Sequence, residues 1–130
     1  LIMNTLHINQ TENTPLIHFD TNTGKFEIRG NSIPENIYLF YEPIFEWLDK
    51  YMENPNKNIE FIFQMRMISS ASSKIFFQLL NKIDSLKDNT DSCVRITWLY
   101  SIYDEEIREI GIDFKDSVNV PFEVVLTDSE

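Results

Sequence analysis

Apolar and polar residues change rhythm once, sharply, in the middle of this chain. Ile59, Phe61, Phe63, Met65 and Met67 alternate with Glu60, Gln64 and Arg66, the period of two that marks a half-buried strand. From Ile75 onward the spacing turns to three and four: Ile75, Phe76, Leu79, Leu80, Ile83 and Leu86 predict an amphipathic helix from about Ser70 to Leu86. The joint between them reads Arg66-Met67-Ile68-Ser69-Ser70-Ala71-Ser72-Ser73-Lys74.

The same reading places the other elements. Leu16 to Phe19 and Lys25 to Arg29 are short strands, and Asp20-Thr21-Asn22-Thr23-Gly24 between them makes a hairpin turn. Ser32-Ile33-Pro34-Glu35 has the form of a capping box with proline in the tolerant first turn. The helix it opens carries Ile37, Phe40, Tyr41, Ile44, Phe45, Leu48, Tyr51 and Met52 on one stripe. Pro43 should kink or split it, because proline deletes a backbone donor. Val94, Ile96, Trp98 and Tyr100 alternate in a further strand, an acidic helix runs from about Asp104 to Phe114, and Phe122, Val124 and Leu126 mark a last strand.

The order is β-β-α-β-α-β-α-β. The central β-α-β unit implies a right-handed crossover between parallel strands. Strands buried on both faces read as continuous apolar runs, whereas these place Lys25, Glu27 and Arg29, then Glu60, Gln64 and Arg66, then Arg95 and Thr97 on one side. The expected fold is therefore an α/β two-layer sandwich, a mixed sheet of about five strands with helices on one face. Residues 1–13 read as a flexible N-terminal segment, with Leu6 and Ile8 able to add a short edge strand, and 14–127 as a single domain.

Composition narrows the function. The 130 residues are 42% hydrophobic and 13% aromatic, enough for a packed core. Eleven basic residues against 21 acidic ones leave a net charge of −10, which repels a phosphate backbone or an anionic membrane surface. No apolar run reaches the length of a membrane span, and the start lacks a secretory leader pattern, so a cytoplasmic location is expected. Leu1 and Ile2 precede Met3, which has the look of a natural start. Cys93, the only cysteine, reads as an inert buried thiol in an apolar strand.

Against this acidic background the joint stands out. A helix N-terminus carries unsatisfied N–H groups and partial positive charge, and acidic side chains usually gather there. Here four serines and no acid occupy it, leaving a place suited to a phosphate. Read from the residues alone, Ser69 or Ser70 serves as a plain cap.

Three blocks carry a resemblance to a known family: Gly30-Asn31-Ser32-Ile33-Pro34-Glu35-Asn36 with Phe40-Tyr41-Glu42-Pro43 and Trp47-Leu48-Asp49-Lys50-Tyr51; Ser69-Ser70-Ala71-Ser72-Ser73-Lys74; and Trp98-Leu99-Tyr100 with Asp104-Glu105 and Gly111-Ile112-Asp113-Phe114. In their order and spacing, from about Thr14 to Phe122, the chain resembles the SiaC-like regulatory phosphoproteins of bacteria, whose fold is akin to STAS domains. The resemblance implies a partner switch. A kinase of the histidine-kinase-like ATPase class phosphorylates the joint, a metal-dependent Ser/Thr phosphatase reverses it, and the unmodified protein binds and promotes a diguanylate cyclase, linking it to c-di-GMP and biofilm. The family's usual joint reads Asn-Thr-Ala-Ser-Ser-Lys with threonine as acceptor. Here the acceptor position is Ser70, with Ser69 and Ser72 as second choices, and the implied partner-binding turn is Ser69, Ser70, Ser72, Ser73 and Lys74.

Other readings stay open. A constitutive adaptor, or an anti-sigma-factor-antagonist-like module without phosphorylation, would use the serines only as caps. An enzyme lacks support, since no paired acid–base motif, nucleophile pattern or phosphate-binding glycine loop is present. Asp104-Glu105-Glu106 is explained by the helix dipole rather than a metal, and no cofactor is implied. His7 and His18 fall outside any ligand pattern. Trp47 and Leu39 lie off the main stripe, facing either a partner or the chain ends.

Overall fold

The computed structural model describes residues 3–127. In chain order the elements are β1 (Leu6–Ile8), β2 (Leu16–Asp20), β3 (Lys25–Ser32), α1 (Ile37–Tyr51), β4 (Asn58–Ile68), α2 (Ser70–Asn89), β5 (Cys93–Ser101), α3 (Glu105–Lys115) and β6 (Phe122–Thr127). The sheet holds six strands rather than about five, because Leu6–Ile8 pairs antiparallel with Ile17–Phe19 of β2.

Spatial order equals chain order, β1 to β6. β2 runs antiparallel to both β1 and β3, and β3 through β6 run parallel. Each parallel step moves the same way across the sheet, so crossovers of one hand deposit α1, α2 and α3 on the same face. Their apolar stripes meet Ile17, Phe19, Phe26, Ile28, Phe61, Phe63, Ile96 and Trp98, all buried. The opposite face keeps its polar residues and pairs them across strands. Arg95 reaches Glu60 at 3.4 Å, Thr97 donates to Glu60 at 2.8 Å, and Arg29 donates to Gln64 of β4 as well as meeting Glu27 along its own strand at 3.1 Å.

Four expectations change. First, α1 begins at Ile37 with Asn36 as its cap, the Asn36 side chain accepting from the Leu39 amide. Ser32 caps nothing, because β3 continues through it: Gly30 (φ 113) carries a register shift and Ser32 pairs with Ile68 of β4. Second, α1 runs unbroken through Pro43, at the cost of the amide that would meet the Leu39 carbonyl. Third, Cys93 is exposed, since Val94, Ile96 and Trp98 take the core parity of β5. Fourth, Met67 loses the inward parity of β4 and is 55% exposed, because the register shift between Gly30 and Ser32 places an extra residue in β4 and Ile68, opposite Ser32, packs against the core instead.

Trp47 belongs to the core layer. It stacks on Tyr51 at 5.0 Å and contacts Phe19 and Phe26 at 5.7 Å. His7 and His18 face each other across β1 and β2, Nδ1 to Nδ1 at 2.9 Å.

Candidate functional site

All four parallel strands end at one edge of the sheet, and the serine joint lies there between β4 and α2. Ser69 is the cap of α2: its Oγ accepts from the Ser72 amide at 3.1 Å, and its carbonyl accepts from the Ser73 amide at 2.9 Å. Its own amide donates to the Ser32 carbonyl at 3.0 Å, which fixes the turn to the end of β3. The first turn of α2 contains no acid. Two amides at the tip, those of Ser70 and Ala71, remain outside this capping.

The serines divide sharply. Ser70 is exposed, and its hydroxyl makes no hydrogen bond among the described residues. Ser72 is fully buried. Its hydroxyl donates to the Ser32 carbonyl at 2.7 Å and lies 2.7 Å from Ser32 Oγ, which in turn lies 2.6 Å from the Tyr41 hydroxyl. Ser69 Oγ adds a donor to Ser72 Oγ at 3.0 Å. With one proton per hydroxyl, every contact is satisfied when Tyr41 donates to Ser32, Ser32 to Ser72, and Ser72 to the Ser32 carbonyl. Burial pushes the Tyr41 phenol well above its ordinary value, outweighing the hydrogen bond with Ser32, which lowers it. The network therefore stays neutral, and it ties β3, α1 and α2 together beneath the joint. Ser73 is half-buried and Lys74 exposed on the next turn.

Sequence reasoning missed Ser32 and Tyr41 as parts of this site. Ser72 carried a usable signal, since it falls three and four residues before Ile75 and Phe76 and so on the buried stripe of α2.

A second feature gathers at the same edge. Among the described residues seven large apolar side chains are exposed. Six of them, Tyr38, Leu39, Met67, Ile102, Tyr103 and Leu126, lie in the first turn of α1, the end of β4, the turn after β5 and the end of β6. Neighbouring strands sit about 4.8 Å apart, so the β4–α2 joint lies between the turns that follow β3 and β5. Exposed apolar residues scattered singly need no explanation, but a clustered set marks a contact surface.

Among the described residues no catalytic constellation gathers at this edge. Asp104 is committed as the cap of α3, accepting from the Ile107 amide at 3.2 Å. Among the described residues no group of three or more His, Cys, Asp or Glu side chains is placed to hold a metal. None of the described helices is long and apolar enough to cross a membrane.

The sequence pattern described as SiaC family regulatory phosphoprotein matches residues 8–127. The chain belongs to this family. Its role is accordingly regulatory rather than catalytic. It is 24% identical over 122 residues to an uncharacterized protein of Pseudomonas aeruginosa strain UCBPP-PA14, covering 94% of this chain and 96% of that one. The fold is that of apo-SiaC from Pseudomonas aeruginosa, with TM-score 0.85, 23% identity, and 94% and 98% of the two chains covered. It matches equally, at TM-score 0.85 and 23% identity, with 94% and 99% covered, a chain in the crystal structure of the diguanylate cyclase SiaD in complex with its activator SiaC, from the same organism. The two-layer sandwich expected from the strand faces is thus the fold of this family's solved members.

Proposed function

We propose that this SiaC family member is a phosphorylation switch whose acceptor is Ser70 and whose partner surface is the edge around it. The observation that carries the reading is the exposed, uncommitted Ser70 hydroxyl on the first residue of α2, at the same edge as Tyr38, Leu39, Met67, Ile102 and Tyr103. A phosphate there adds roughly −1.5 to −2 charges. The fold tolerates it, because the Ser70 and Ala71 amides and the helix dipole face an anion favourably. An apolar partner surface does not, since it would have to desolvate the phosphate. Modification thus changes the partner and leaves the fold intact.

The partner class follows from the relative. SiaC is the activator of the diguanylate cyclase SiaD in the complex of that pair, so the unmodified form of this chain binds and activates a diguanylate cyclase in the cytoplasm and thereby controls c-di-GMP and biofilm formation. A kinase of the histidine-kinase-like ATPase class adds the phosphate, and a metal-dependent Ser/Thr phosphatase removes it. Ser69 and Ser72 are poorer acceptors than Ser70: the first is spent on capping, and the second is enclosed. Ser72, Ser73 and Ser69 support the turn, while Ser70 and Lys74 meet the partner.

Mass spectrometry of protein isolated from its native cells tests this. Trypsin releases Met67 to Lys74 as one peptide holding all four serines, and phosphate on Ser70 is expected. Ser70→Ala should abolish incorporation and retain cyclase binding, and Ser70→Asp should weaken that binding. An unmodified peptide in the presence of the kinase, with both variants binding as wild type, would leave a constitutive adaptor.

A further inference from the structure

We infer that the groove between α1 and α2, which adjoins the Ser70 surface at Tyr38, is a docking site for a basic amphipathic segment of a partner protein. The groove encloses about 190 Å³ between Tyr38, Phe45, Ile75, Glu42, Glu46 and Asp49. Small-molecule sites run to roughly 300–1,000 Å³, so this volume suits an inserted side chain rather than a free metabolite. Ile75 forms a buried apolar floor and Phe45 a half-buried one, while Tyr38 is 65% exposed.

The wall supplied by α1 is acidic in a way that helix stability does not explain. Acids favour the first turn, where the dipole rewards them, yet the first turn of α1 has none. Glu42 and Glu46 stand four residues apart farther along, a spacing at which like charges repel, and Asp49 lies in the last two turns, toward the negative pole of the helix. Asp49 is paired with Lys82. Neither Glu42 nor Glu46 has a cationic partner among the described residues. The groove therefore offers an apolar floor beside the two unmatched carboxylates of Glu42 and Glu46. Its complement is a helix with apolar residues at spacings of three and four and Lys or Arg on the flank, the helix-in-groove mode of recognition.

The competing explanation is attraction of any basic peptide to a chain of net charge −10, and a matched control separates the two. Glu109 and Asp113 sit exposed on α3 at the same four-residue spacing. A synthetic Leu/Lys amphipathic peptide, titrated by fluorescence anisotropy, should bind the wild-type chain. Binding should fall about tenfold or more in Glu42→Lys/Glu46→Lys, the scale of losing close charge pairs, and by less than about twofold in Glu109→Lys/Asp113→Lys, where only long-range, screened attraction changes. Glu42→Gln/Glu46→Gln should fall in the same direction by a smaller factor, so a failure of the reversal variant to fold does not decide the matter. A Leu/Glu peptide should not bind, and chemical-shift changes should centre on Tyr38, Phe45 and Ile75. Equal losses in the two reversal variants, or shifts located elsewhere, overturn the inference.

Discussion

The two ends of the parallel sheet are built on different principles. At the amino end the turns are stitched by side chains to backbone. Asn56 donates to the Thr21 carbonyl at 2.8 Å, its amide reaches the Tyr51 hydroxyl at 2.9 Å, and the Asp84 carboxylate accepts from the Asn119 and Val120 amides at 3.1–3.2 Å. Glu60 donates its amide to the Gly24 carbonyl at 2.9 Å. At the carboxyl end the hydrogen-bonded network runs underneath, through Tyr41, Ser32, Ser72 and Ser69, while the outermost layer is apolar and exposed. One end spends its polar groups on holding the fold. The other leaves its outer layer apolar and uncovered, at the edge where open α/β sheets place their ligands.

That contrast is open to direct attack. The largest effect belongs to the amino end: Gly24→Ala puts a Cβ 2.2 Å from the Asn58 carbonyl oxygen at φ +77, and should cost about 3 kcal/mol in a denaturant titration. Next, Tyr103→Ala with Leu39→Ala should weaken cyclase binding by about tenfold or more while moving stability by no more than about 0.5 kcal/mol. The pair sharpens the distinction, because one change destroys the fold's footing and the other only the contact. Asp84→Ala should cost about 1–2 kcal/mol by orphaning two amides and leave partner binding of the folded protein unchanged.

The smallest effect is alkaline. Burial holds the Tyr51 phenol up to about 12, against a partial opposing effect from Asn56, and holds the Tyr41 phenol up as well. Both are raised above the unfolded value of 10.0, so their contribution to stability is complete below pH 10 and is lost as pH rises toward and through the folded values. Stability measured by denaturant midpoint should fall above pH 10, and less so in Tyr51→Phe.

Much of this was legible beforehand because helices and strands here obey their own periods. The handover at Ser69, the hairpin at Gly24 and the polar outer face of the sheet all follow from spacing. The capping box at Ser32 misled for a tertiary reason: pairing with Ile68 of β4 keeps Ser32 extended, a contact 36 residues away that no local pattern records. Cys93 was misplaced because the strand was recognised and its parity was not applied to its first residue. The exposed apolar edge was the least visible part, since Ile102 and Tyr103 sit in a turn where period carries no information, and a register shift that no local pattern records turns Met67 outward and Ile68 inward. The serine joint was found by composition, yet which serine is free and which is enclosed emerged only with Ser32 and Tyr41 in place.

The order of the strands bears on how this chain comes into being. Because β1 to β6 lie side by side in the sequence in which they are synthesised, each new strand emerges with its neighbour already made, and no strand is held open for a later arrival. The parallel pairs β3–β4 and β4–β5 still close loops as long as Lys25 to Glu60 and Asn58 to Cys93, which slows folding, but a chain completed from its N-terminus exposes only one growing edge at any moment.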